Sequence, residues 1–169
     1  LYMTSLAIPG LALGLAFALF FKGTALYNTM AILVIVNVVH FFGSPYMMAI
    51  SHFKLLNPNL ESICKTLGGN WFNVIFDVIL PNSKQVLTDV FIYFFTNSMV
   101  TISAVSLLYT SKSMTLALQI TTYNDQGHWE SAVAVSLVIL LINTAMKLWQ
   151  NYRLEHARRL ALEQPMVEG

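Results

Sequence analysis

The side chains able to do chemistry in this sequence are few and stand apart from one another. Its eight Asp and Glu residues are scattered singly along 169 residues, so no carboxylate pair suggests general acid and base work. The one cysteine, Cys64, cannot form an internal disulfide, and nothing around it offers the His or Cys spacing of a zinc site. No HExxH, GxSxG or CxxC pattern occurs, and Gly68-Gly69-Asn70 is not followed by the Lys-Ser/Thr of a phosphate-binding loop. Neither catalytic residues, a metal site nor a cofactor is expected.

What remains is a set of polar residues inside apolar runs. Thr96, Asn97, Ser98, Thr101 and Ser103 stand in one such run. Polar groups inside a bilayer are costly and usually face protein or water. Asn97, Thr101 and Ser103 are therefore candidates for lining a translocation path, with hydrogen bonding between helices as the equal alternative. His40 ends another apolar run, with Asn37 three residues earlier on the same helical face. A structural role is favoured there. Gly10 and Gly14 form a small-xxx-small pair suited to close helix approach, and Pro9 is placed to start or kink that helix.

The elements that must position these residues follow from composition. The chain is 56% hydrophobic and 10% charged, whereas a soluble domain carries about 25% charged residues. Lipid is the solvent that fits. A hydrocarbon core about 30 Å thick needs roughly 17 to 25 apolar residues per helix, and four uncharged stretches meet or approach that length. They run from Ser5 to Phe21, from Ala25 to His40 within a longer uncharged run, from Val90 to Thr110, and from Ser131 to Met146. Trp129, Lys147 and Trp149 can anchor the last at the interfaces. The chain opens at Leu1 with no basic segment before its first apolar run, which argues against a signal peptide and for a portion of a longer chain.

The segment from Ser51 to Asp89 is too polar to span. Leu60, Ile63, Cys64 and Leu67 make one amphipathic stripe, and Phe72, Ile75, Phe76 and Ile79 another. Pro58-Asn59 opens the first helix, Gly68-Gly69 ends it, and Pro81 is expected to stop the second. If the spans alternate, this segment and the tail after Met146 share one side with seven Lys and Arg residues, against two, Lys22 and Lys112, on the other. The positive-inside rule then puts segment and tail in the cytoplasm. The outward connection from Ser111 to Glu130 is read as a solvated loop, with a short interfacial helix meeting a binding protein as the alternative. The basic tail continues the last helix near anionic headgroups, and no nucleic-acid role is needed to explain it.

The polar segment resembles the EAA loop of ABC importer permeases, which has a glutamate-alanine-alanine start, a glycine, and a later isoleucine-x-leucine-proline. Gly68 falls at the motif's glycine, Pro81 follows thirteen residues later, and Ile79-Leu80-Pro81 supplies the ending. At the start the sequence departs from the pattern: Ser62 occupies the glutamate position, Ile63 and Cys64 the alanine positions, and the acidic residue is Glu61. Further along, Ile8-Pro9-Gly10 with Leu13-Gly14-Leu15 is similar to permeases for ferric iron, thiamine and phosphonates. The stretch from Met99 to Val105, and Asn124-Asp125-Gln126-Gly127, look most like 2-aminoethylphosphonate permeases.

The resemblance implies an all-α, polytopic transmembrane helix bundle in a bacterial inner membrane, with residues 1–169 forming a permease domain and 51–89 its cytoplasmic loop. It implies that Glu61, Ser62, Ile63, Cys64, Lys65, Thr66, Leu67 and Gly68, with Pro81, form the coupling segment that docks into ATPase subunits. ATP would then bind on that separate chain. The further partners implied are a second permease domain, an extracytoplasmic substrate-binding protein and membrane lipid. A phosphonate is the expected substrate, with ferric iron, thiamine or polyamine as alternatives. A secondary transporter is disfavoured because the spans hold no Asp or Glu away from their edges, and a scaffold has no reason to carry the glycine-to-proline spacing.

Overall fold

The computed structural model describes residues 7–55, 70, 72 and 74–163, and among these the regular structure is entirely helical. Pro9, in an extended conformation, ends the approach to α1 (Gly10–Phe21), and its carbonyl accepts the Leu13 N–H. Pro9 therefore starts this helix. Successive turns follow, in which Gly23 and Asn28 take positive φ and the Thr24 and Thr29 hydroxyls donate to the carbonyls of Phe21 and Leu26.

The second uncharged run forms two helices, α2 (Met30–Phe41) and α3 (Gly43–Leu55), bent by 60°. Pro45 lies in the first turn of α3, where its missing N–H leaves a gap in the i→i−4 ladder. The bend is the result.

Beyond the polar segment, a π-helical stretch (Val74–Ile79) runs into one helical turn (Leu80–Asn82) and then α4 (Lys84–Val100). Pro81 does not stop the second helix as expected. The helical path passes through it and hitches at Ser83, whose N–H still bonds to the carbonyl of Ile79. A proline ring clashes with the carbonyl four residues back, and a widened π turn before it relieves that clash.

The third run is also divided differently from expectation: its helix begins at Lys84 and ends at Val100 rather than reaching Thr110. From Thr101 the chain takes successive turns. Thr101 and Ile102 are stiff at χ1, and the hydroxyls of this stretch compete for backbone groups, so the helix has weak local support here.

The connection from Ser111 to Glu130 contains α5 (Leu116–Asp125), which corrects the solvated-loop expectation. Its Ala117 and Leu118 are buried, so apolar side chains give it a face to pack. The last helix, α6 (Trp129–Glu163), has 35 residues, or about 52 Å. The basic tail continues it, as expected.

The core joins α1, α2, the turns after α4 and α5, through buried Ile32, Leu33, Val36, Val105, Leu108 and Leu118. Among the described residues, only Trp129–His156 of α6 is by itself long and apolar enough to cross a membrane, with 11% of its apolar window buried in the chain. The bent pair α2–α3 supplies a second crossing if it is one broken span, and α1 is a shorter apolar helix. The count of four spans is therefore not reproduced as four unbroken helices: proline, and a helix end at Thr101, divide the uncharged runs.

Candidate translocation path and coupling segment

Of the expected coupling residues, Glu61 through Gly68 lie outside the described residues. Pro81 is exposed, in the turn that leads into α4.

The three candidate path residues cluster where α4 ends. Asn97 is half-buried and its Nδ2 donates to the Tyr93 carbonyl at 2.8 Å. Thr101 is buried, and its backbone N–H closes the helix by donating to the Asn97 carbonyl at 3.0 Å. Ser103 faces Gly10 so closely that a Cβ there would collide with its hydroxyl, while the His40 ring would stand 3.2 Å from the same Cβ. Gly10 and Gly14 thus perform the packing role anticipated for them, against the turns rather than against a regular helix. The structure brings Ser103 and His40 together at Gly10, and Asn97 and Thr101 together through the helix cap.

His40 is held between neighbours: its ring contacts Phe41, and Phe41 in turn meets Tyr93 edge-on. Its Nδ1 is buried without a hydrogen-bond partner among the described residues. Asn37, 6% exposed, donates from Nδ2 to the Leu33 carbonyl at 2.9 Å, and its Oδ1 is likewise buried without a partner there.

Asn37 belongs to a cleft of about 450 Å³ between α2, α4 and the start of α5, with Phe91, Phe94, Phe95, Ser98 and Thr115 in its walls. The wall is overwhelmingly apolar. Thr115 Oγ1, buried and unpaired among the described residues, was not singled out from sequence. A second cleft of about 350 Å³ lies between the end of α4, α5 and α6, where Asn143 Oδ1 is also buried and unpaired. Asn143 was legible in principle, as an amide inside an uncharged run; Thr115 offered no such signal.

Polar atoms set singly in apolar walls suit passage or docking rather than bond-breaking chemistry, and one helix beside them has the length and composition to cross a bilayer. The chain belongs to the family of binding-protein-dependent transport system inner membrane components, whose family model matches residues 1–158. No curated protein and no solved structure matches it. It is therefore an ABC importer permease of an inner membrane, a transport component rather than a catalytic enzyme, of a family that works with an ATPase and a binding protein.

Proposed function

We propose that this permease imports a small phosphonate, with 2-aminoethylphosphonate as the expected substrate, and that its segment Glu61 to Gly68 is the coupling helix for a cytoplasmic ATPase. The observation that carries the coupling reading is the spacing from Gly68 to Pro81, with the Ile79-Leu80-Pro81 ending, inside the span matched by the family. An importer must carry ATP-driven closure into the bilayer, and a short amphipathic helix seated in a partner's groove is a rigid way to do it. In this reading the Gly68-Gly69 pair would permit the turn that aims such a helix, since glycine reaches positive φ without steric cost. The excess of Lys and Arg in the 51–89 segment and in the C-terminal tail supports a cytoplasmic side for both.

For the path, the supporting observation is the irregular backbone that begins at Thr101. Non-helical backbone at membrane depth is tolerated where it is covered by protein or borders water. One side of this stretch is covered, through Ala104, Val105 and Leu108, while Ile102, Ser103 and Leu107 are exposed. The exposed side is where a second permease domain and the substrate path belong, with Asn97, Thr101 and Ser103 at its edge. The phosphonate assignment rests on the similarity of 99–105 and 124–127 to 2-aminoethylphosphonate permeases.

The test is ATP-dependent uptake by the intact transporter in proteoliposomes, with 2-aminoethylphosphonate, ferric iron and thiamine supplied separately with their binding proteins. Uptake of the phosphonate alone is expected; uptake of ferric iron or thiamine instead overturns the substrate assignment. A cysteine at Ser62 should crosslink to the ATPase and one at Asn124 should not, and the reverse pattern inverts the topology.

A further inference from the structure

A hydrogen bond between residues far apart in sequence ties helices α4 and α6 together. Gln150 Nε2 donates to Asp89 Oδ1 at 2.8 Å, joining positions 61 residues apart, and both residues are half-buried. On its other side the same amide accepts from Lys147 Nζ at 3.2 Å, so both ends of the Gln150 side chain are engaged. Hydrogen bonds to an ionised carboxylate are shorter and stronger than neutral ones. The Gln150 amide thus links the Asp89 carboxyl group to the Lys147 ammonium.

The position of the contact gives it meaning. The chain that leaves the polar segment enters α4 without a flexible break: the Ser83 N–H bonds back to Ile79, and the Leu87 N–H bonds back to Ser83. Asp89 is the first acidic residue of α4, six residues after the Ser83 hitch. Gln150 lies in α6, within the one stretch among the described residues that is long and apolar enough to cross by itself. Beside the contact is a gap of about 60 Å³ lined by Gln85, Thr88, Asp89, Gln150 and Arg153, with the Arg153 guanidinium held over the Trp149 ring at 5.0 Å.

We propose that Asp89 and Gln150 are positioning residues for coupling: their hydrogen bond is the joint through which movement of the segment preceding α4 is passed to α6. The inference rests on the coupling reading above. Displacement delivered at Pro81 moves the first turns of α4, and the Asp89 carboxylate takes the Gln150 end of α6 with it. Without the bond, the two helices slide past each other on apolar contacts and the gap beside them.

Hydrogen exchange on the assembled transporter, permease with its ATPase in lipid, tests this without a need to know the substrate. Exchange is compared between the nucleotide-free and ATP-vanadate-trapped states at 51–89 and at 147–156. In the native protein both stretches respond to trapping. In Asp89→Ala and in Gln150→Leu the response at 51–89 persists, while the response at 147–156 falls by about threefold or more, as expected when a local opening is no longer linked to a distant one. Asp89→Asn, whose Oδ1 still accepts, keeps both responses. A response at 147–156 that survives Asp89→Ala overturns the joint, as does a change in exchange there that is the same with and without nucleotide. A native protein with no response at 51–89 overturns the coupling reading itself, and the joint with it.

Discussion

Gly14 and the Ala104 backbone are in contact: a Cβ on Gly14 would stand 2.6 Å from the Ala104 carbonyl oxygen. The corresponding atom on Gly10 would meet a side chain, the Ser103 hydroxyl, rather than backbone. Backbone held in a buried turn cannot yield as a hydroxyl rotor can. Gly14→Ala is therefore expected to cost about 1–3 kcal/mol, in the range of overpacked cores, and Gly10→Ala less. Thermal unfolding in detergent checks the order of the two variants, and equal melting temperatures would contradict it.

Asn37 is buried with its Oδ1 unpaired among the described residues. An unpaired buried acceptor costs about 1–3 kcal/mol, whereas an apolar group of similar shape costs little. Asn37→Leu is expected to leave the melting temperature unchanged or raised. A fall of the kind produced by Gly14→Ala would mean that the Asn37 side chain has a partner in the assembled transporter.

Pro81 sits just after a π-helical stretch and does not end the helical path. Replacing it by alanine restores the N–H and removes the ring, so the wide turn can tighten to an ordinary α-helical one. Each residue of α-helix turns the chain by about 100°, and that change rotates the preceding segment relative to α4. Pro81→Ala is expected to keep membrane abundance and ATPase binding but reduce ATP-driven uptake by about tenfold, equivalent to roughly 1.4 kcal/mol of lost coupling. Unaltered uptake would show that the turn does not set the angle.

Asn97 and Thr101 flank the end of α4. Their joint replacement by alanine and valine is expected to lower uptake more than membrane abundance, since groups that border a path act on passage. Parallel loss of both would support the hydrogen-bonding alternative, in which small polar residues act as adhesive between helices.

The sequence revealed the local chemistry of this fold better than its long-range geometry. The Gly10 and Gly14 pair, the start of α1 at Pro9 and the continuation of α6 through its basic tail follow from residues next to one another, and all were legible. The helix end at Thr101 was not, because an uncharged run of threonine, serine and valine has the length of a span whether or not its helix is continuous; nor was the bend before Pro45, because its run stays uncharged to His52. Helix α5 was only the alternative reading for a related reason: Leu116, Leu118 and Ile120 look exposed until Ala117 and Leu118 find a neighbour to cover them. Asp89 and Gln150 are 61 residues apart, and nothing in either neighbourhood points to the other. The candidate coupling residues from Glu61 to Gly68 were read from motif spacing alone, and they lie outside the described residues.

The coupling reading meets its sharpest test in co-purification of the intact permease with candidate ATPase subunits from detergent, comparing the native loop with Gly68→Pro. Proline cannot adopt the positive φ that a glycine turn permits, so the native protein is expected to retain the ATPase and the variant, still inserted in the membrane, to lose it. Failure of the native protein to capture folded ATPase subunits, or equal capture by the variant, would contradict a coupling role for this loop.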